Sequence, residues 1–298
     1  MSAQHKGTLL VLASAAGFAT LAIFIKVAYL AGANSVTVLA MRFMLAAFLL
    51  WPILKLRNIS VHIDAKTRLR LCLLGALGYG TMSACFAVSI EYVPVPLAAL
   101  LLYTYPALVT LLSFAIGDEQ ITWYKSLALT ICFTGLVLIL GVSSGGVNPI
   151  GIMLGLSAAV LYSGYIVIGN RLLKNIHPLV ATMYVCSAAG AAFTAIGLFQ
   201  SSLILALPPL GWLALAGIAV LGTIVGILFF FAGLSLIGAA NASIISTTEP
   251  LITVLLSAAL LGDSISLLQA LGGMLIIASV IILQLRSRPA IAHSNDFR

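Results

Sequence analysis

The sequence predicts an all-α integral membrane protein of ten transmembrane helices, built as two inverted five-helix repeats. Three observations predict it. The 298-residue chain is 62% hydrophobic and 7% charged, with a mean hydropathy of +1.20, whereas a soluble domain is about 25% charged. Its apolar residues fall into ten runs, each close to the ~20 residues that cross a hydrocarbon core of about 30 Å. Its Lys and Arg residues gather on one side of those runs.

The runs span approximately 8–30, 36–54, 69–90, 96–117, 123–142, 150–170, 179–200, 210–232, 239–261 and 267–285. The breaks carry turn or charge signals. They are Gly32-Ala33-Asn34-Ser35, Lys55 to Arg70, Pro94-Val95-Pro96, Gly117-Asp118-Glu119-Gln120, Ser143 to Pro149, Lys174 to Pro178, Pro208-Pro209 and Gly262-Asp263. The eighth and ninth runs are nearly continuous, divided only by Gly238 and the small residues after it. The polar stretch Met1 to Gly7 precedes a run too long for a signal-peptide core, which predicts a retained first span.

Charge tests the count. With ten spans and a cytoplasmic N-terminus, Lys6, Lys55, Arg57, Lys66, Arg68, Arg70, Lys125, Arg171, Lys174, Arg286, Arg288 and Arg298 all face the cytoplasm, 12 of the 14 basic residues. The other two, Lys26 and Arg42, lie inside spans. This positive-inside pattern predicts an inner or plasma membrane with both termini cytoplasmic, and it accounts for the net charge of +7 without nucleic-acid binding.

Residues 98–121 slide onto 242–265 with Ala98, Thr104, Pro106, Leu111, Leu112, Ser113, Ala115 and Ile121 meeting identical residues. Pro106 meets Pro250, Tyr105 meets Glu249 and Glu119 meets Asp263. The slide pairs the fourth run with the ninth, so the unit is five spans, 1–145 and 146–298. Five is odd, so the halves cross the membrane in opposite senses, a transporter architecture with substrate bound near the midplane.

Pro94-Val95-Pro96-Leu97-Ala98 leading into Tyr103-Thr104-Tyr105-Pro106, and Glu249-Pro250 followed by Gly262-Asp263, resemble the drug/metabolite transporter superfamily, EamA type, over nearly the whole chain. The resemblance implies a ten-helix secondary transporter, most often an exporter of amino acids or related small metabolites. Two positions depart from the pattern. The first span reads Ala16-Gly17-Phe18 where many members carry a Trp-Gly pair, and the first half has Tyr105 where the second has Glu249.

The polar residues inside the runs define the candidate site. Glu249 stands about ten residues into its run, roughly 15 Å deep at 1.5 Å per residue and half of a ~30 Å core. An acid there is costly and marks function by default. Pro250 has no N–H and frees a carbonyl one turn back, near Ser246; such groups are tolerated where they face protein or a watery cavity. Glu249 reads as a proton-coupling group or a ligand for a cationic amine, the plainer reading being a protonated acid that bonds a neighbouring helix.

Arg42, about six residues into the second span, is too deep to snorkel and is expected to face inward, toward a carboxylate, a carbonyl dipole or an anionic substrate group. Lys26 either snorkels or gates the outer end, with Glu91 as a partner for either cation. Tyr79, Tyr103, Tyr105, Tyr162 and Tyr165 lie within spans rather than at the interfaces, and each hydroxyl needs a partner. On a continuous helix Tyr103 and Tyr105 point apart, which favours Tyr105 for the cavity. Ser246 and Thr248 flank Glu249, or simply bond back to their own helix. Pro106 and Pro250 are helix breaks. Gly151-xxx-Gly155 and Gly222-xxx-Gly226 are close-packing faces within the chain or in a dimer, so the chain is expected as a monomer or homodimer.

Catalytic and cofactor signals are lacking. Cys72, Cys85, Cys132 and Cys186 form no CxxC pair and are expected as free thiols; His5, His62, His177 and His293 form no metal-ligand spacing; no Walker-type glycine loop is present. The expectation is a non-enzymatic transporter without cofactor, driven by a proton gradient, that exports a small organic metabolite by alternating access. One alternative is import or exchange of an anionic metabolite on Arg42 and Lys26; the other is a non-transporting membrane scaffold.

Overall fold

The computed structural model describes residues 2–141, 148–261 and 265–286. Among them are ten helices long and apolar enough to cross a membrane: α1 (Ala3–Leu30), α2 (Ser35–Leu56), α3 (Ala65–Tyr92), α4 (Leu97–Ala115), α5 (Trp123–Leu140), α6 (Pro149–Leu172), α7 (Pro178–Phe199), α8 (Pro209–Ile237), α9 (Ala239–Leu260) and α10 (Leu267–Leu285). Each lies on one of the ten predicted runs, and no strand occurs among the described residues. Residues 143–147 of the fifth break, the Gly262-Asp263 pair, Arg288, His293 and Arg298 lie outside the described residues.

Helix starts follow from local chemistry. Asn34 Oδ1 accepts from the backbone N–H of Thr37 at 2.8 Å, and Asp64 Oδ2 from that of Thr67 at 2.9 Å, both N-cap bonds. Helices α6, α7 and α8 open on Pro149, Pro178 and Pro209, where the missing N–H costs nothing. Two helices outrun their apolar cores. Helix α1 begins at Ala3, capped by Ser2, and α8 continues to Ile237, where Gly238 at φ +80° stops it.

Irregular backbone falls in pairs that the repeat relates. Helix α4 is two pieces, Val95–Leu102 and Tyr105–Ala115, and α9 is two pieces, Ala239–Ser246 and Thr248–Leu261. Pro106 and Pro250 each sit in the first turn of the second piece, where they end the ladder of the first. The Thr104 hydroxyl donates to the Leu101 carbonyl at 2.7 Å, and that of Thr247 to the Ile244 carbonyl at 2.6 Å. Helices α3 and α8 each contain a π-helical stretch, Leu74–Gly80 and Val220–Val225, a local widening often found at functional sites.

Packing obeys the relation that carries span n to span n+5. Helices α2 and α7 pair closely, as do α5 and α10, and α4 with α9; the α1–α8 pair is matched by α6–α3. The backbones touch where glycines allow. A Cβ at Gly135 would stand 2.7 Å from the Gly272 carbonyl oxygen, and one at Gly272 2.6 Å from that of Gly135, so α5 and α10 meet backbone to backbone. Gly151, Gly155, Gly222 and Gly226 also pack within the chain, against Val93, Leu101, Leu21 and Phe18.

The two ends of the bundle differ. At the end bearing the termini, Tyr105–Ala115 of α4 packs on Ala239–Ser246 of α9, and α6 packs on α8 and α9; every residue of Ala239–Ser246 is buried. At the other end, among the described residues, Val95–Leu102 and Thr248–Leu261 do not pack closely on each other, and α1 does not pack closely on α3 or α4. The bundle is closed at the termini end and parted at the opposite end.

A polar clasp holds the closed end. Arg171, at the end of α6, donates from Nε to Asp118 Oδ2 at 2.7 Å and from Nη2 to the Ile116 carbonyl at 3.2 Å. Glu119 accepts from the Ala240 backbone N–H at the start of α9, at 3.0 Å, and from Lys125 Nζ at 2.7 Å; a helix N-terminus favours the negative charge. A Cβ at position 238 would stand 2.8 Å from Glu119 Oε1, so Gly238 serves both the turn and the close approach. One loop of the first half thus grips two helices of the second.

Three outcomes follow. Gly135→Val and Gly272→Val should each cost about 1–3 kcal/mol through overpacking, read as a lower melting temperature of the purified protein. Gly164→Ala, with nothing within 4 Å of the added carbon, should leave it unchanged or raise it. The hydrogen bond from Arg171 holds the Asp118 carboxyl below its usual range. A depressed folded value contributes stability above the unfolded pKa of about 3.9, and that contribution is lost as pH falls through the folded value. The melting-temperature gap between wild type and Asp118→Asn should therefore be constant above about pH 5 and close on acidification below about pH 4; a gap that widens there contradicts the pairing.

Candidate functional site

The paired breaks of α4 and α9 meet at the centre of the bundle. Tyr105 is 2% exposed, and its hydroxyl shares a 2.7 Å hydrogen bond with Ser246 Oγ and donates to the Ser243 carbonyl at 3.3 Å. The repeat-related helices are thus tied across the pseudo-two-fold axis. Glu249 lies in the first turn of the second α9 piece, and its carboxyl faces the Tyr103 hydroxyl. Glu249, Tyr103 and Tyr162 are half-buried, at the level where the two pieces of α4 and of α9 part.

Continuous helical geometry sets Tyr103 and Tyr105 apart and favours Tyr105 for the cavity. The structure brings both rings into one cluster. The helix ends at Leu102 and restarts at Tyr105, so the two rings lie 6.1 Å apart in one cluster. Tyr103 meets the acid, while Tyr105 joins the helices.

Aromatic rings extend the site inward. Tyr105 packs on Tyr162 at 4.7 Å between centroids, Tyr162 on Tyr165 at 5.8 Å, Tyr165 on Tyr79 at 5.2 Å and Tyr79 on Phe43 at 5.7 Å. Such edge and offset contacts each contribute about 0.5–1.5 kcal/mol beyond burial, which makes this wall rigid.

Arg42 closes the far side of the cluster. It is 5% exposed. Its Nε donates to Thr223 Oγ1 at 3.1 Å and its Nη2 to the Gly222 carbonyl at 3.4 Å, both in the π-helical stretch of α8. Tyr79, in the π-helical stretch of α3, lies beside it. One guanidinium is therefore anchored on the π stretch of α8, beside Tyr79 of the repeat-related stretch in α3.

Other expected site residues lie elsewhere or are engaged. Lys26 and Glu91 are both exposed and form no ion pair among the described residues. The pairing of Glu91 with Arg42 or Lys26 is corrected, because Arg42 finds its partners on α8 and α3 instead. The Thr248 hydroxyl donates to the Ile245 carbonyl at 2.9 Å, turned to its own helix; the Thr247 hydroxyl also pairs with Cys132 Sγ at 2.7 Å. All four cysteines are free.

Sequence reasoning missed the clasp. Gly117-Asp118-Glu119-Gln120 read only as a turn. The signal was there, since a chain with seven acidic residues places two of them side by side at the basic end.

The comparisons with known proteins agree with this architecture. The model of the EamA-like transporter family matches the chain twice, over residues 5–141 and 149–285. The uncharacterized transporter YcbK of Bacillus subtilis is 29% identical over 278 residues, 89% of this chain and 88% of that protein. YyaM of the same organism is 27% identical over 72% of this chain and 73% of its own length. The uncharacterized transporter sll1319 of Synechocystis is 27% identical over 70% of this chain, a match spanning 65% of that protein. One solved crystal structure, 19% identical, superposes with a TM-score of 0.79 over 95% of this chain and 97% of the other, a likeness of fold. With both halves matched, the chain belongs to the EamA-like transporter family and is a multi-pass membrane transporter rather than an enzyme.

Proposed function

We propose that this transporter exports a small amine-bearing metabolite of the amino-acid class across the inner or plasma membrane, in exchange for protons. The observation that carries the reading is the Glu249 carboxyl, half-buried, facing Tyr103 and set on a helix break in the middle of a span. A carboxylate there binds either a proton or a substrate ammonium group, and exchange of one for the other is antiport. The rigid tyrosine wall supplies an apolar, hydroxyl-edged surface for the rest of the molecule. Arg42 holds the π stretch of α8 against the tyrosine cluster. The halves 1–145 and 146–298 rock about the central site so that each end opens in turn. The basic end that bears the termini is the cytoplasmic one by charge, so the described arrangement is closed to the cytoplasm. No bound cofactor is needed.

A competing reading uses Arg42 as the ligand for an anionic metabolite that enters or exchanges. Arg42 belongs to the same cluster, and this alone supports it; Lys26, exposed, adds nothing.

One pair of substitutions separates the readings. In liposomes holding mixed amino acids, an imposed proton gradient should drive release from wild-type protein, and Glu249→Gln should abolish that release while leaving insertion and melting temperature intact. Arg42→Gln should reduce flux and also lower the melting temperature, because buried groups on Thr223 and Gly222 lose a partner. Wild-type flux in Glu249→Gln, or uptake of organic anions that fails only in Arg42→Gln, overturns the proton-antiport reading.

A further inference from the structure

Basic residues at the end bearing the termini fall into two sets. Lys125, Arg171 and Lys174 face Asp118 or Glu119 in the clasp. Lys55 and Arg57 at the end of α2, and Lys66, Arg68 and Arg70 in the first turns of α3, form no ion pair among the described residues, and all five are exposed. The one acid of this connection, Asp64, has its Oδ2 engaged at 2.9 Å as the cap of the Thr67 N–H. The fold does not require charge here. Residues 200–208, the repeat-related connection between α7 and α8, contain no Lys, Arg, Asp or Glu.

The cations stand on an ordered surface. Ile59, Val61 and Ile63 pack on the core, and the Tyr184 hydroxyl on α7 donates to the Val61 carbonyl at 3.0 Å. Their places along the helices mark the bilayer edge. On α2, Phe48 and Trp51 are exposed to lipid, and Lys55, one turn beyond Trp51, holds its Nζ 4.0 Å from the centroid of that ring. On α3, Leu73 and Leu77 are exposed. Lys66 and Arg70 each stand seven residues before one of them, about 20° away around the helix. Arg68, two residues from Lys66, lies about 200° around, on another face. Two apolar stripes thus end in ammonium and guanidinium groups at the level of the headgroups.

This placement selects a partner with a negative head and apolar tails. A soluble anion has no use for the stripes, and a zwitterionic phospholipid brings a cation of its own into a group of five. A phospholipid whose head carries only the phosphate charge meets neither objection, and Lys and Arg near a bilayer surface attract such lipids. We propose that the α2–α3 connection is a docking surface for an anionic phospholipid of the adjoining leaflet, held by Lys55 of α2 and by Lys66 and Arg70 of α3, with acyl chains along the stripes below. The surface does not depend on the transport reading. Arg70 stands four residues before the π stretch Leu74–Gly80 that carries Tyr79, so a docked lipid steadies the helix that runs from the bilayer edge to the tyrosine cluster.

The test uses the full chain in detergent micelles. Phosphatidylglycerol or phosphatidylcholine with the same acyl chains is added at rising mole fraction, and the melting temperature is read against each variant's own lipid-free value. Phosphatidylglycerol should raise it saturably, with an apparent affinity about tenfold or more above that of phosphatidylcholine. The double variant Lys66→Gln, Arg70→Gln alters only exposed side chains and should weaken the phosphatidylglycerol response about tenfold. Lys55→Gln should weaken it about threefold, and Arg68→Gln by less than about twofold. Equal stabilisation by the two lipids, a response that survives the double variant, or a loss in Arg68→Gln as large as in that variant overturns the docking surface. Inorganic phosphate that reproduces the phosphatidylglycerol effect overturns it as well, because the ligand is then a soluble anion.

Discussion

Lipid gives a backbone no partners. Every N–H and C=O in a spanning segment must be satisfied within the protein, at several kcal/mol for each one that is not. Pro106 and Pro250 break that rule in the middle of two repeat-related spans, and the rest of the structure depends on how the break is met. Thr104 and Thr247 return hydroxyls to carbonyls of the first pieces, and Tyr105 reaches from one break to Ser246 at the other. Broken backbone is tolerable only when enclosed, so the two breaks must sit at the centre of the bundle. Glu249, one residue before Pro250, is carried there with them.

Duplication makes the constraint symmetric; the sequence differences make it asymmetric. Both halves supply a proline break and a π-helical stretch at matching places. Only the second half supplies an acid at the break, and only the first supplies the arginine that crosses to the π stretch of the other half. The scaffold is thus near-symmetric in backbone, while its two deep charges, Glu249 and Arg42, come one from each half. The closed end is held by a largely buried pair, Lys125–Glu119, and by the part-exposed pair Asp118–Arg171, the exposed kind being individually weak.

Much of this was legible in the residues. Ten apolar runs and the one-sided Lys and Arg residues determine the span count, because nothing but helix crosses a bilayer at that composition. Glu249, Pro106 and Pro250 stand out because polar or ring-closed residues inside an apolar run need a reason. The partner of Arg42 was not legible, since Thr223 lies 181 positions away and looks like any small residue of an apolar helix. The approach of the Tyr103 ring to Tyr105 was not legible, because the α4 break lies ahead of its proline and shifts the facing of every residue beyond it. The clasp escaped because adjacent acids in a loop carry the same pattern as a solvated turn; only the fold brings Arg171 and the start of α9 to them.

The central claim is that the ends of the bundle open in turn. Electron-electron distance measurements on a cysteine-replaced chain, in nanodiscs at neutral and at acidic pH, test it most directly. One spin-label pair joins Val95 and Ile265 at the parted end, and another joins Asn175 and Ser235 at the closed end. The account predicts that a condition which shortens the first distance lengthens the second, and that Glu249→Gln removes the response to pH. Distances that change together, or a pH response that survives Glu249→Gln, would contradict it.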